Sequence, residues 1–202
     1  MKIKKIFANL LKKLWIYILV ILGATIISCY SIDLIVKPRN EQTISMFVVS
    51  DSYDISSFEQ KIWEKAPDYL LEIIPYVYTR ESENLMYLYS TFGYSLADIV
   101  ILPNNMVDNN IVKQSYEIIN DNIINIWFKT MDGYFVDNNR YGIKIHNAGT
   151  QDNNLLVYSN SVEKDEDYYA FFKKNSLHIG ELSGSIFNTS FEIIQIFNNE
   201  TI

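Results

Sequence analysis

Apolar and polar positions divide the chain into one long apolar run and a series of short ones. Leu14 to Val36, LWIYILVILGATIISCYSIDLIV, carries a single charge, Asp33. As a helix it would be about 35 Å long, against a bilayer hydrocarbon core of about 30 Å. It is predicted to be a transmembrane signal anchor. Residues 1–13 before it form a leader with Lys2, Lys4, Lys5, Lys12 and Lys13 and no acid, the pattern that keeps a flank in the cytoplasm. Residues 37–43 form a polar linker, and residues 44–202 are predicted to form one extracellular α/β domain, long enough to bury a single core.

Within that domain Ile44 to Val49 reads as a buried strand, and Ser50 to Asp54 as a turn. Ile55, Phe58, Ile62 and Ala66 then recur at helical spacing behind Asp54 as cap, and Pro67 ends the helix. Ile73 to Thr79 is a second strand, although Pro75 within it cannot donate to a ladder. Leu85, Leu88, Phe92 and Leu96 mark a second helix that Gly93 can cut short, and Ala97 to Pro103 is a third buried strand. Strand, helix, strand, helix, strand predicts a central, mostly parallel sheet with right-handed crossovers.

The asparagine-rich stretch Asn104 to Asn110 reads as a loop or the capped start of a helix, and Tyr116 to Phe128 reads as a helix by Ile119, Ile123, Ile126 and Trp127. Tyr134 to Val136 and Tyr141 to Ile145 flank an Asp137-Asn138-Asn139 turn, and Leu155 to Tyr158 is a further strand candidate. Glu163 to Asp167 is an acidic, solvated turn, Tyr168 to Phe172 a last strand, and Ile186 to Phe197 a closing helix capped by Ser183 or Ser185.

Charge narrows the partners. The whole chain carries −7, but beyond residue 40 there are 10 Lys and Arg against 23 Asp and Glu, a net −13. Such a surface repels phosphate backbones, so nucleic acid is excluded as a partner. The single cysteine, Cys29, lies in the apolar run, and no intrachain disulfide can hold the fold. Ile26-Ile27-Ser28-Cys29 resembles a lipobox, which makes Cys29 a candidate lipidation site. The apolar continuation through Ile32, Leu34, Ile35 and Val36 favours an uncleaved anchor instead.

Candidate chemistry is sparse. His146 and His178 have no ligating neighbours at metal spacing, and the acidic turn lacks the alternation and glycine of a calcium loop. No nucleophile elbow, phosphate loop, dinucleotide fingerprint or zinc-protease motif is present, so neither an enzyme nor a cofactor is expected. In parallel sheets ligands lie beyond the carboxyl ends of the strands. Here those ends place Ser52 and Tyr53 after the first strand, Arg80 after the second, and Asn104 and Asn105 after the third. Ser52, Asn104 and Asn105 can hydrogen-bond a solute, Tyr53 can stack on it, and Arg80 can grip a carboxylate. All five also suit turn and cap duty.

Three segments in order carry a family resemblance. They are the strand, helix and strand that follow the anchor; Ala97-Asp98-Ile99-Val100-Ile101-Leu102-Pro103; and Tyr168 to Gly180, YYAFFKKNSLHIG, leading into a closing helix. Together they resemble the type 2 extracellular solute-binding proteins of bacterial ABC importers, in a Firmicutes-like form. The resemblance implies a solute-binding-like lobe, a small polar solute and an ABC permease as partners, and residence at the cell membrane, single-pass. Only about 65 residues separate Pro103 from Tyr168, too few for a second lobe of ordinary size. The chain is therefore either a reduced, single-lobe relative or a lobe with a small cap. A ligand-free interaction or accessory domain of a membrane complex is the competing expectation.

Overall fold

The computed structural model describes residues 14–15, 17–28, 42–50, 60, 62–64, 66, 68–128, 132–148, 166–179 and 188–195. By packing, the chain divides into two units, Met1–Arg39 and Asn40–Ile202. In the first, residues 14–15 and 17–28 are helical. Ile18 through Leu22 are exposed at five consecutive positions, so the helix is apolar on every side. Among the described residues no helix is long and apolar enough to cross a membrane. Residues 29–36 of the predicted anchor, Cys29 included, lie outside them.

The second unit is built on one six-stranded sheet. Its strands are β1 (Thr43–Val49), β2 (Glu72–Tyr78), β3 (Ile99–Pro103), β4 (Gly133–Val136), β5 (Asn139–His146) and β6 (Tyr168–Phe172), in the order β2-β1-β3-β6-β5-β4. β1 pairs in parallel with both β2 and β3, with Phe47 opposite Tyr76 on one side and Val100 on the other. The three parallel strands thus stand where the apolar runs place them. Pro75 is accommodated because β2 is an edge strand.

The expectation of a mostly parallel sheet needs correcting: the sheet is mixed, with β3–β6, β6–β5 and β5–β4 all antiparallel. The reasons are local and global. Asp137 and Asn138 both take positive φ, 50° and 65°, a two-residue reversal that fixes β4 and β5 antiparallel. β6 then runs between β3 and β5, satisfying both edges. The described part of the middle segment therefore widens the same sheet.

Side chains alternate across this sheet into two buried layers. Ile44, Met46, Val48, Ile99 and Ile101 join Tyr168, Ala170 and Phe172 on one face. They meet Ile62, α3 (Asp121–Trp127) and α4 (Thr189–Ile194) through Ile123, Phe191 and Ile194. Phe47, Val49, Val100, Leu102 and Phe171 form the other face. Against it lie α1 (Leu85–Leu88), its continuation as a π turn Tyr89–Gly93, and α2 (Asn109–Ser115). Covered on both sides, β3 and β6 are buried at every position, which is why they read as continuous apolar runs. Gly142 is required where β5 passes Phe171, since a Cβ there would stand 2.8 Å from the ring.

Two helix expectations change. Tyr116 is extended and bridges to Lys173, so the predicted helix from Tyr116 to Phe128 begins instead at Asp121, with the Asn120 side chain accepting from Ile123 N at 2.9 Å. Tyr116 leaves the helix because its ring stacks on Phe171 and its hydroxyl meets that of Tyr89 at 2.8 Å. The second helix is α1 with a π turn that ends at Gly93, leaving Leu96 exposed. Of the first predicted helix, residues 60 and 62–64 are helical, and of the last, Thr189–Ile194 with Asn188 as N-cap. Asp54, Leu155 to Tyr158, Ser183 and Ser185 lie outside the described residues.

Candidate functional site at the strand ends

Parallel β1, β2 and β3 finish at one end of the sheet, and antiparallel β6 begins there. This strand-end pole gathers Ser50, Arg80, Asn104 and Asn105 around Glu166, Asp167 and Tyr168. Ser50 N donates to Tyr78 O at 2.8 Å, closing β1 against β2. Asn104 and Asn105 open a 3-10 turn, Asn104–Met106, directly after β3, and Asn104 N donates to Asp167 O at 2.9 Å.

Glu166 is the centre of the polar contacts. Its Oε1 accepts from Arg80 Nη1 at 3.3 Å and from Asn105 Nδ2 at 2.6 Å, and its Oε2 accepts from Asn105 N at 3.0 Å. Arg80 Nη2 also donates to the Tyr168 hydroxyl at 3.1 Å, and its guanidinium carbon lies 5.6 Å from the centre of the Tyr168 ring. Arg80 is mostly buried, with 14% of its side chain exposed. A charged bond at that depth is stronger than one at an open surface.

A second ion pair stands beside the first. Lys144 on β5 reaches Asp167 at 2.8 Å, and Asp167 also accepts from Ala148 N at 3.0 Å and from the Tyr169 hydroxyl at 3.4 Å. Burial acts to raise the Asp167 pKa, but these three donors outweigh it and hold the carboxyl below its ordinary value. The hydrogen bond to Asp167 in turn raises Lys144. His146, at the end of β5, is buried with its ring edge-on to Tyr168.

Of the five predicted ligand residues, Arg80 and Asn105 are joined through one carboxylate and Asn104 is adjacent. Ser52 and Tyr53 lie outside the described residues. Sequence reasoning missed Glu166 and Asp167, reading them as a solvated turn, and missed Lys144. The signal available was an acid pair immediately before a fully buried strand, with Lys144 two residues short of the end of another. Among the described residues no three His, Cys, Asp or Glu side chains come together to hold a metal ion. The chemistry present is an internal ion pair: cationic and amide donors converge on the planar carboxylate of Glu166, with the Tyr168 ring against Arg80. No family model matches this chain, and no curated protein or solved structure does either.

Proposed function

We propose that Leu14 to Val36 anchors the chain in the cell membrane with its lysine-bearing leader inside, and that the α/β domain serves outside as a solute-binding-like module. The anchor reading rests on run length and leader charge. The binding reading is carried by one observation, the convergence of Arg80 and Asn105 on a single carboxylate at the strand-end pole. Glu166 occupies those donors as the carboxylate of a small polar solute would. A solute of that class binds by displacing Glu166 or by adding to its outer side. Delivery to an ABC permease is the corresponding partner role.

The test is a thermal-shift screen of the full chain in lipid nanodiscs against amino acids, peptides, sugars and small carboxylates. A ligand at 100 times its Kd stabilises by about 2.7 kcal/mol. A reproducible rise for a carboxylate solute that is lost in Arg80→Ala supports the proposal, and Glu166→Gln should strengthen the same response by freeing the donors. A second reading, a ligand-free accessory domain docking on a membrane complex, is favoured by Glu166 already filling the donors and by the middle segment widening the sheet. A flat screen with stable co-purification of a membrane partner selects it.

A further inference from the structure

The opposite pole of the sheet, where β1, β2 and β3 begin, carries a row of exposed leucine and isoleucine side chains. Leu71 is 56% exposed, Leu96 52%, Leu177 46% and Ile118 43%. Hydrogen bonds of these residues or of their chain neighbours place all four at this end of the sheet. Leu71 N donates to Gln42 O at 2.9 Å, just before β1. Leu96 O accepts from Ser45 Oγ of β1 at 3.2 Å and from Lys173 Nζ at 3.4 Å. Glu117 N donates to Phe172 O at 2.9 Å, which brings Ile118 to the end of β6, and His178 Nε2 meets Thr43 O at 2.8 Å beside Leu177. The row thus follows the sheet order from β2 to β6. Large apolar side chains exposed together on a domain of net −13 call for a partner surface.

We infer that this pole rests on the surface of the phospholipid bilayer, Leu71, Leu96, Ile118 and Leu177 entering the headgroup layer. The inference rests on the anchor reading above. Lys37 to Gln42, six residues, separate the apolar run from β1, and six residues span at most about 20 Å. Whatever covers the β1 start must therefore lie close to the membrane, and the membrane itself is the nearest apolar phase. Charge agrees. Lys173 and Lys174, four and three residues before Leu177, donate among the described residues to the backbone carbonyls of Ser95, Leu96 and Lys113, which carry no counter-charge and leave the ammonium charges for lipid phosphates. Of the acids at this pole, Asp98 and Glu117 are held by hydrogen bonds, and Glu72, beside Leu71, is exposed with Thr43 Oγ1 donating to it at 3.4 Å. Asp98 accepts from Ser45 and Ser176, and Glu117 from Asn175 N.

The single native cysteine makes a direct test possible. In a Cys29→Ser background, Leu177→Cys, Glu83→Cys and Ile21→Cys each receive one fluorophore, and each full chain is placed in phosphatidylcholine nanodiscs containing lipid spin-labelled near the headgroup. Glu83 is exposed beyond the far end of β2, and Ile21 reports the anchor. The expected result is that labels at 21 and 177 lose most of their emission while the label at 83 keeps it, and that adding Leu71→Ser with Leu96→Ser restores emission at 177. Quenching at 21 with none at 177 overturns this inference and leaves the anchor standing. No quenching at 21 overturns the anchor and this inference with it. A label at 177 shielded from aqueous iodide yet unquenched by lipid shows a protein on the patch, and also overturns the inference. Leu96→Cys replaces Leu177→Cys if the latter does not fold.

Discussion

Each pole of the sheet is tied together by a carboxylate, and the two ties differ in kind. At the strand-start pole Asp98 binds neutral donors: Ser45 N and Ser45 Oγ, each at 2.9 Å, and Ser176 Oγ at 2.9 Å. At the strand-end pole Glu166 and Asp167 bind cations, Arg80 and Lys144. A carboxylate with neutral donors joins chain segments without adding a counter-charge, and it sits here among exposed leucines. Ion pairs keep a pole polar and open to exchange with another anion. The first tie suits a structural end of the domain and the second suits a recognising one.

The largest expected effect separates the ties by cost. Asp98→Ala removes the shared acceptor of β1 and the turn after β6, and should destabilise the domain by about 3 kcal/mol, read as a lower urea midpoint. The loss should be insensitive to salt. Arg80→Ala should cost less, about 1 kcal/mol, because Glu166 is 30% exposed and water can take over its freed oxygen, and part of the difference should vanish at high ionic strength. If Arg80→Ala proves the costlier change and is indifferent to salt, the contrast between the poles fails.

A smaller effect concerns pH. Because the folded Asp167 pKa is lowered, its ion pair adds stability that is present above the ordinary carboxylate pKa of about 3.9 and is lost as pH falls through the lower folded value. Because the folded Lys144 pKa is raised, the same pair adds stability that is complete below about 10.4 and is lost as pH rises through the higher folded value. Buried Tyr89, pushed up to about 12 by desolvation despite its bond to Tyr116, adds to that alkaline loss. Lys144→Met should flatten the acid limb of a stability-against-pH curve and leave the tyrosine part of the alkaline limb. The smallest effect is at the exposed row: Leu96→Ser should change stability by no more than about 0.5 kcal/mol, measured by urea titration. A large loss there would make Leu96 a packing residue and remove it from the membrane-facing set.

The sequence was most legible where structure is local. β1 and β3 are short apolar runs ended by polar turn residues or proline, and the β4–β5 reversal is announced by three consecutive residues that tolerate positive φ. The neighbours of β6 were not legible, because Tyr168 to Phe172 reads as a buried strand in any central position. Tyr116 misled for a related reason: its apolar periodicity is helical, but a buried hydroxyl partner 27 residues away outweighs one turn of helix. The site divides in the same way. Strand polarity alone located Arg80, Asn104 and Asn105, whereas Glu166 lies 86 residues from Arg80 and 61 from Asn105, and no local pattern links them.

The place of β6 in the sheet also has a consequence for the order of folding. A chain made from its N-terminus completes β1, β2 and β3 early, with contacts spanning tens of residues, and the β4–β5 hairpin closes on its own over a two-residue turn. Both halves then present an open hydrogen-bonding edge, β3 on one and β5 on the other, until residues 168–172 arrive to fill the gap. Closing that gap is the least local step and should be the slowest. A nascent or truncated chain that stops before Tyr168 carries two unpaired edges beyond the outer edges of β2 and β4 and should aggregate, whereas one extended past Phe172 has sealed those two.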